Sequence, residues 1–232
     1  MKVDFVKITD NTLKPDIFAY ALKAAKSRGL PVTCDVTPHH LALSDEWLAG
    51  ARRWAWDASG DPWADGALEA SPYDPSLRVN PPLRSPDDAA AVLVALLDGT
   101  ADAVATDHAP HTEVDKAVEF GLAANGISGI ETALGLLLTA VDAGRLPLAR
   151  AIAALTVGPA AVLGSRSRRG RPGLNEGSPA DLVVFDRADS WTVGASELRS
   201  RGRNTPLLGR TLPGRVLLTT ADGRIAHEAP SD

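Results

Sequence analysis

Four of the five histidines fall in two short strings, Thr37-Pro38-His39-His40 and Asp107-His108-Ala109-Pro110-His111. Imidazoles beside a carboxylate can bind a transition metal or move protons near neutral pH. Asp107 with His108 and His111 therefore admits a metal or acid–base site. An aspartate after a strand equally serves as a helix N-cap or turn former, and the His39-His40 pair equally serves packing. No cysteine cluster and no closely spaced ligand triplet decides between these readings. Asn80-Pro81-Pro82-Leu83-Arg84 offers an amide and a guanidinium on a rigid turn, and by itself a structural role is the simpler reading. There is no glycine-rich phosphate loop and no G-x-S-x-G elbow.

The elements that must carry these strings follow from periodicity. Val3–Ile8 alternates and is β-rich, which predicts a strand. A helix is predicted from Pro15 through Phe18, Leu22 and Ala25, with Gly29 as its stop. A second strand is expected over 30–36. Residues 41–79 carry four tryptophans (47, 54, 56, 63) and no sustained period, so a packed irregular excursion with one short helix is expected. Ser85, Pro86, Asp87 and Asp88 form a helix start, as cap, first-turn proline and dipole-matched acids, and Gly99 ends that helix. A third strand is expected over 101–106, then helices over about 128–143, 147–155 and 156–163. Beyond an Arg/Ser/Gly-rich linker at 165–173, β runs are read at 180–185, 191–193, 215–220 and 224–227, the last after the turn pair Asp222-Gly223. Strands alternating with helices imply a parallel α/β core. Such cores place their chemistry at the C-terminal strand ends, where both histidine strings lie.

Composition bounds the class. The chain has 232 residues, 44% hydrophobic and 23% charged, which fits one large domain with a small appendage and excludes a disordered or fibrous chain. A net charge of −5 argues against a nucleic-acid partner, which requires a basic face. The lone cysteine, Cys34, cannot form an internal disulfide, and a reducing compartment is expected. No apolar run approaches the length of a membrane span, and Met1–Asp4 begins no signal-peptide core. A cytoplasmic protein without a membrane partner is expected.

Taken in order, TPHHL at 37–41, NPPLR at 80–84, LDGT at 97–100, ATDHAPH at 105–111, GISGIETA at 126–133, ADLV at 180–183 and NTP at 204–206 resemble class I dihydroorotase, of the amidohydrolase superfamily. The likeness covers about residues 22–228. It implies a partial (β/α)8 barrel over residues 1–164 and a small β appendage, the C-terminal share of a β-sandwich, over 165–232. It also implies zinc, and reversible hydrolysis of dihydroorotate to N-carbamoyl-aspartate in pyrimidine biosynthesis. By resemblance, Asp107 ends the last barrel strand, holds metal and shuttles the proton of the attacking water. Asn80 and His111 contact substrate, His111 at its carboxylate, and Gly126 contributes a backbone contact. His39 and His40 take a site-wall role.

Several family features are missing. No H-x-H string occurs anywhere, and no histidine stands near Thr12, where the family carries one before its TPHH motif. The family's metal cage is thereby reduced to Asp107, and the isolated chain is expected to be inactive. Residues 3–11 look more like another amidohydrolase branch, in which Lys7 would be a carboxylated metal bridge; the alternative is a core strand with Lys7 at its rim. Unpaired strand edges point to a homo-oligomer, and another enzyme of pyrimidine synthesis is a further candidate partner. Two competing functions are a non-catalytic scaffold or ligand-binding relative, and a hydantoinase- or allantoinase-type hydrolase.

Overall fold

The structure, a computed structural model, describes residues 15–57, 68–164 and 173–230. The strand expected over 3–8, with Lys7, lies outside them, as do Thr12, Trp63 and nearly all of the 165–173 linker.

Helix α1 spans Pro15–Ser27. It ends as the sequence predicts: Leu30 N–H donates to Ala25 O (3.1 Å), Gly29 N–H donates to Lys26 O (2.9 Å), and Gly29 has φ +69°. These are the bonds of a Schellman turn, whose left-handed residue favours glycine. In the last turn, Lys26 Nζ donates to Thr100 O (2.7 Å) and to both Asp102 carboxylate oxygens (2.8 and 2.7 Å). Asp102 also accepts the Cys34 N–H at 2.8 Å. One part-buried carboxylate thereby registers α1 against the sheet.

That sheet pairs β1 (Asp35–Val36) with β2 (Ala103–Val104) in parallel. Both strands are far shorter than the predicted 30–36 and 101–106. At residues 30 and 32, the N–H groups donate to Ala25 O and Leu30 O, so neither joins a ladder. Ala101 N–H donates to Ala95 O behind the next helix, and Asp107, at φ +47°, turns the chain away soon after β2. That next helix follows a stretch carrying α2 (Pro38–Ala42) and α3 (Glu46–Ala49). It is α4, Pro86–Leu97, which begins as predicted: Ser85 Oγ accepts from Asp88 N–H, and Pro86 opens the first turn. Helix α5 (Glu113–Lys116) is a short capping-box helix that the sequence reading did not anticipate. Helices α6 (Ala133–Asp142), α7 (Leu148–Leu155) and α8 (Val157–Leu163) follow.

The tail is an antiparallel meander of β3 (Leu182–Thr192), β4 (Thr211–Ala221) and β5 (Arg224–Glu228), in that order. The runs expected separately at 180–185 and 191–193 belong to one strand. Its polar middle is absorbed by register shifts, where Asp186 and Asp189 carboxylates accept the N–H groups of Ala188 and Ser190 at 2.8 and 2.7 Å. Asp222 and Gly223, at φ +52° and +73°, close the β4–β5 hairpin as their sequence predicts.

Two apolar clusters hold these elements together. One packs Leu41, Leu93, Leu96, Val104, Leu137 and Ala151 between the helices and β2. The other joins Leu43, Trp47 and Leu77 to Leu136 and to Val193, Leu207 and Leu212 of the tail. Helix α6 lies so close on β4 that a Cβ on Gly135 would stand 2.8 Å from Leu212 Cβ. The described residues form a mixed α/β fold, and no described helix is long and apolar enough to cross a membrane.

Leu212 is fully buried in the cluster shared by Trp47 and α6. Leu212→Ala is expected to cost about 2–5 kcal/mol. Tryptophan fluorescence and far-UV circular dichroism should then shift together in a denaturant titration. Separate transitions for the two signals would contradict a shared core.

Candidate active site

The Thr37-Pro38-His39-His40 string begins α2 immediately after β1. Thr37 is its N-cap, accepting the His40 N–H at 3.2 Å, and Pro38 sits in the first turn. This local code sends the two imidazoles to different environments. His39 is buried, at 3% exposure, and its Nε2 has no hydrogen-bond partner. Burial, reinforced by neighbouring His40, lowers its pKa to about 3, so it stays neutral. His40 is half-buried and bridges outward: its Nδ1 meets Thr37 Oγ1 at 2.6 Å and its Nε2 meets Pro81 O at 3.0 Å. Burial lowers the His40 pKa, opposed by the Pro81 carbonyl, by the charge of the Asp107 carboxylate and by the Pro82 backbone.

Asp107 is exposed, three residues past the end of β2, in the left-handed backbone region. Aspartate tolerates that region better than most residues. The chain then runs alongside residues 126–130. His108 pairs with Ile127, Ala109 N–H donates to Ile127 O at 3.0 Å, and His108 Nδ1 accepts the Ile130 N–H at 3.3 Å. These bonds explain why α6 starts at Ala133 rather than at the predicted residue 128. Residues 127–130 are non-helical and bonded to the aspartate–histidine loop. His111 Nε2 lies 2.9 Å from Asn125 O. Since a carbonyl only accepts, Nε2 carries the proton and Nδ1 is the ring atom left to a ligand.

Gly126 occupies φ +143°, and a Cβ there would stand 2.4 Å from Ala109 Cβ and 3.1 Å from His111 Nε2. Only glycine fits. Its N–H donates to Arg78 O at 2.8 Å, two residues before the exposed Asn80. Lys116 Nζ donates to Pro75 O (2.9 Å) and Arg78 O (3.3 Å), and burial lowers this ammonium to about 8 despite the nearby Asp74 carboxylate. Contacts therefore join His40 to the Asn80–Pro81 turn, and run from Arg78 through Gly126 to His111.

Asn204 was read only as part of a motif, without a role. It is 9% exposed and uses its whole side-chain amide. Oδ1 accepts His111 N–H and Ser128 Oγ–H, each at 2.8 Å, and Nδ2 donates to Ala109 O and Gly126 O, each at 3.0 Å. Glu131 fastens the same tail segment by accepting Arg199 and Ser200 N–H groups at 2.8 and 2.9 Å. Gly202 abuts Pro110, where a Cβ would stand at 2.4 Å. Nothing in the local sequence flags a contact that spans 93 residues.

The described residues do not fit a metal cage. No group of three or more His, Cys, Asp or Glu among them could hold an ion. His40 has both ring nitrogens engaged by protein groups, and His108 and His111 each direct one ring nitrogen to the backbone. A cleft of about 350 Å³ opens elsewhere, lined by Trp54, Asp142, Arg210 and Pro213 among others. It includes none of Asn80, Asp107, His111 and Gly126.

The sequence pattern of the amidohydrolase family matches residues 2–227. The chain is similar to the dihydroorotase of Anaeromyxobacter dehalogenans, with 48% identity over 90% of this chain and 42% of that one. It is similar also to the dihydroorotase of Syntrophus aciditrophicus, with 41% identity over 89% and 42%. Among solved structures it is similar to the L-hydantoinase (dihydropyrimidinase) of Arthrobacter aurescens, with a TM-score of 0.73 and 27% identity. The D-hydantoinase (dihydropyrimidinase) of a Thermus species gives 0.69 and 28%. Each of these two matches covers 90% of this chain and 42% of the solved one. The chain thus spans well under half the length of the relatives it matches.

The neutral, buried His39 generates a pH prediction. Between pH 6.5 and about 3 the unfolded chain binds a proton that the folded chain refuses. Its contribution is full above pH 6.5 and declines as pH falls through that window, with a slope of up to about 1.4 kcal/mol per pH unit. His39→Phe should flatten the measured stability–pH curve there by up to one proton. Curves of equal slope for both proteins would contradict a neutral buried His39.

Proposed function

Because the chain belongs to the amidohydrolase family, we propose that it is of dihydroorotase type, built to bind and interconvert dihydroorotate and N-carbamoyl-aspartate in pyrimidine biosynthesis. The observation that carries this reading is the 48% identity to a dihydroorotase across 90% of the chain. The approach of Gly126 to His111 and the bond from His40 to the Asn80–Pro81 turn support it. In this reading the described α/β core is a partial (β/α)8 barrel over 1–164, with the β appendage over 165–232. Asp107, at a strand's C-terminal end, takes a proton from water and returns it to the departing amide nitrogen. The Asn80 amide and the Gly126 backbone orient the ring. His111 meets a ligand carboxylate through Nδ1. Because Nε2–H already donates to Asn125 O, that contact needs a hydrogen on Nδ1.

Zinc is the metal the family resemblance calls for, and Asp107 is the residue of this chain that would touch it. A catalytic zinc normally has three protein ligands, and the described residues do not supply them. We propose accordingly that residues 1–232 alone turn over dihydroorotate negligibly. The hydantoinase-type alternative draws on the solved neighbours.

The sheet β3–β4–β5 exposes Val183 (56%), Val184 (48%) and Ile225 (63%), and β1–β2 is only two strands wide among the described residues. We propose that the chain self-associates through such surfaces. Light scattering should give a mass above 24.3 kDa; a monomer of that mass with a cooperative melt would overturn self-association.

Calorimetry with N-carbamoyl-aspartate, dihydroorotate and a 5-substituted hydantoin tests the substrate reading. The two pyrimidine-pathway ligands should bind more tightly than the hydantoin. Preference for the hydantoin would favour the alternative. Turnover within the usual enzymatic range of ~1–1000 per second in a zinc-supplemented assay would refute the proposed inactivity.

A further inference from the structure

We infer that His40 is a positioning residue for Asn80: as a neutral Nε2–H imidazole, it ties the Asn80-Pro81-Pro82 turn to the start of α2, just past the end of β1. The substrate half of this inference rests on the dihydroorotase-type reading, whereas the tether itself does not.

The turn has an unusual need for an outside tether. Pro81 and Pro82 have no N–H, so these two residues bring no backbone donors of their own to the turn. Its flanks are held by other elements. Arg78 O accepts Gly126 N–H at 2.8 Å and Lys116 Nζ at 3.3 Å, and Arg84 O accepts Asp45 N–H at 2.8 Å. Between these anchors, His40 Nε2 reaches Pro81 O at 3.0 Å, on the residue adjoining Asn80.

The protons on this bridge are fixed by its partners. Pro81 O can only accept, so Nε2 carries a hydrogen and Nδ1 of the neutral ring is a lone pair. Thr37 Oγ1, at 2.6 Å from Nδ1, must then donate to it. The same hydroxyl accepts His40 N–H at 3.2 Å as the cap of α2. One donor and one of two lone pairs are used, and every group is satisfied. The N-cap that starts α2 thus also sets the tautomer that holds the turn. The Asp107 carboxylate acts on the charge of the same ring.

The test uses the full 232-residue chain, labelled with ¹⁵N. A long-range ¹H–¹⁵N spectrum should show His40 with a protonated Nε2 and a bare Nδ1. His40→Ala removes the donor, His40→Asn places an amide nearer the Nδ1 position, and His40→Gln restores a donor near the Nε2 position. Ala and Asn should shift or broaden the Asn80 side-chain amide resonances and weaken N-carbamoyl-aspartate binding about 10-fold, as for loss of one hydrogen bond. Gln should restore the resonances and bring affinity to within about 3-fold of wild type. Thermal melts report folding for each variant, and if Ala does not fold, the Gln–Asn comparison decides. A bare Nε2 would overturn the inference, as would unchanged Asn80 resonances in a folded His40→Ala chain or a Gln variant no better than Asn. If the wild-type chain binds no ligand, the dihydroorotase-type reading and the substrate half fall together. The spectra still decide whether His40 holds the turn.

Discussion

A single buried amide organises the candidate site. Asn204 fills both of its side-chain donors and two acceptor positions with groups from the two loops that carry His111 and Gly126. A buried amide leaves a costly deficit when any partner is withdrawn, so the two loops are tied to one another through the tail. The arrangement also determines which way the amide faces, since only nitrogen suits two carbonyls and only oxygen suits two donors. Apolar packing brings the tail to this position through Leu207 and Leu212, and the amide then sets the loops' relative placement.

The histidines follow the same logic. They act as parts of a hydrogen-bonded frame: His40 from Thr37 to Pro81, His108 from Ile130, His111 to Asn125. His39 fills space as a neutral ring. Lys116 supports the frame from beneath by donating to two backbone carbonyls. Asn80 and Asp107 are exposed at its surface. Exposed reactive groups on a rigid support suit a site that orients a small polar ligand.

Local chemistry was legible in the sequence. The cap at Ser85, the Gly29 stop and the Asp222-Gly223 hairpin all form where residue types demand them. The loops bearing Asp107 and His111 fall after a strand, as the α/β reading requires. What local pattern could not show were competing long-range bonds. Residues 30–32 look β-rich, yet their N–H groups complete a helix cap and a local turn. Residues 128–132 look helical, yet Ser128 and Ile130 N–H groups serve Asn204 O and His108. Gly126 was carried over by resemblance, and its steric reason emerges only from the approach of Ala109 and His111. Asn204 belongs to the NTP string at 204–206, but its partners lie between 76 and 95 residues away.

Native-state hydrogen exchange resolved at single amides, comparing the wild-type chain with Asn204→Ala, tests the organising role of this amide most directly. The His111 and Gly126 N–H groups should exchange markedly faster in the variant. Arg199 and Ser200, capped by Glu131, and the α4 amides should keep their protection. Equal protection at His111 and Gly126 in both proteins would contradict the central claim, as would a uniform loss across the whole chain.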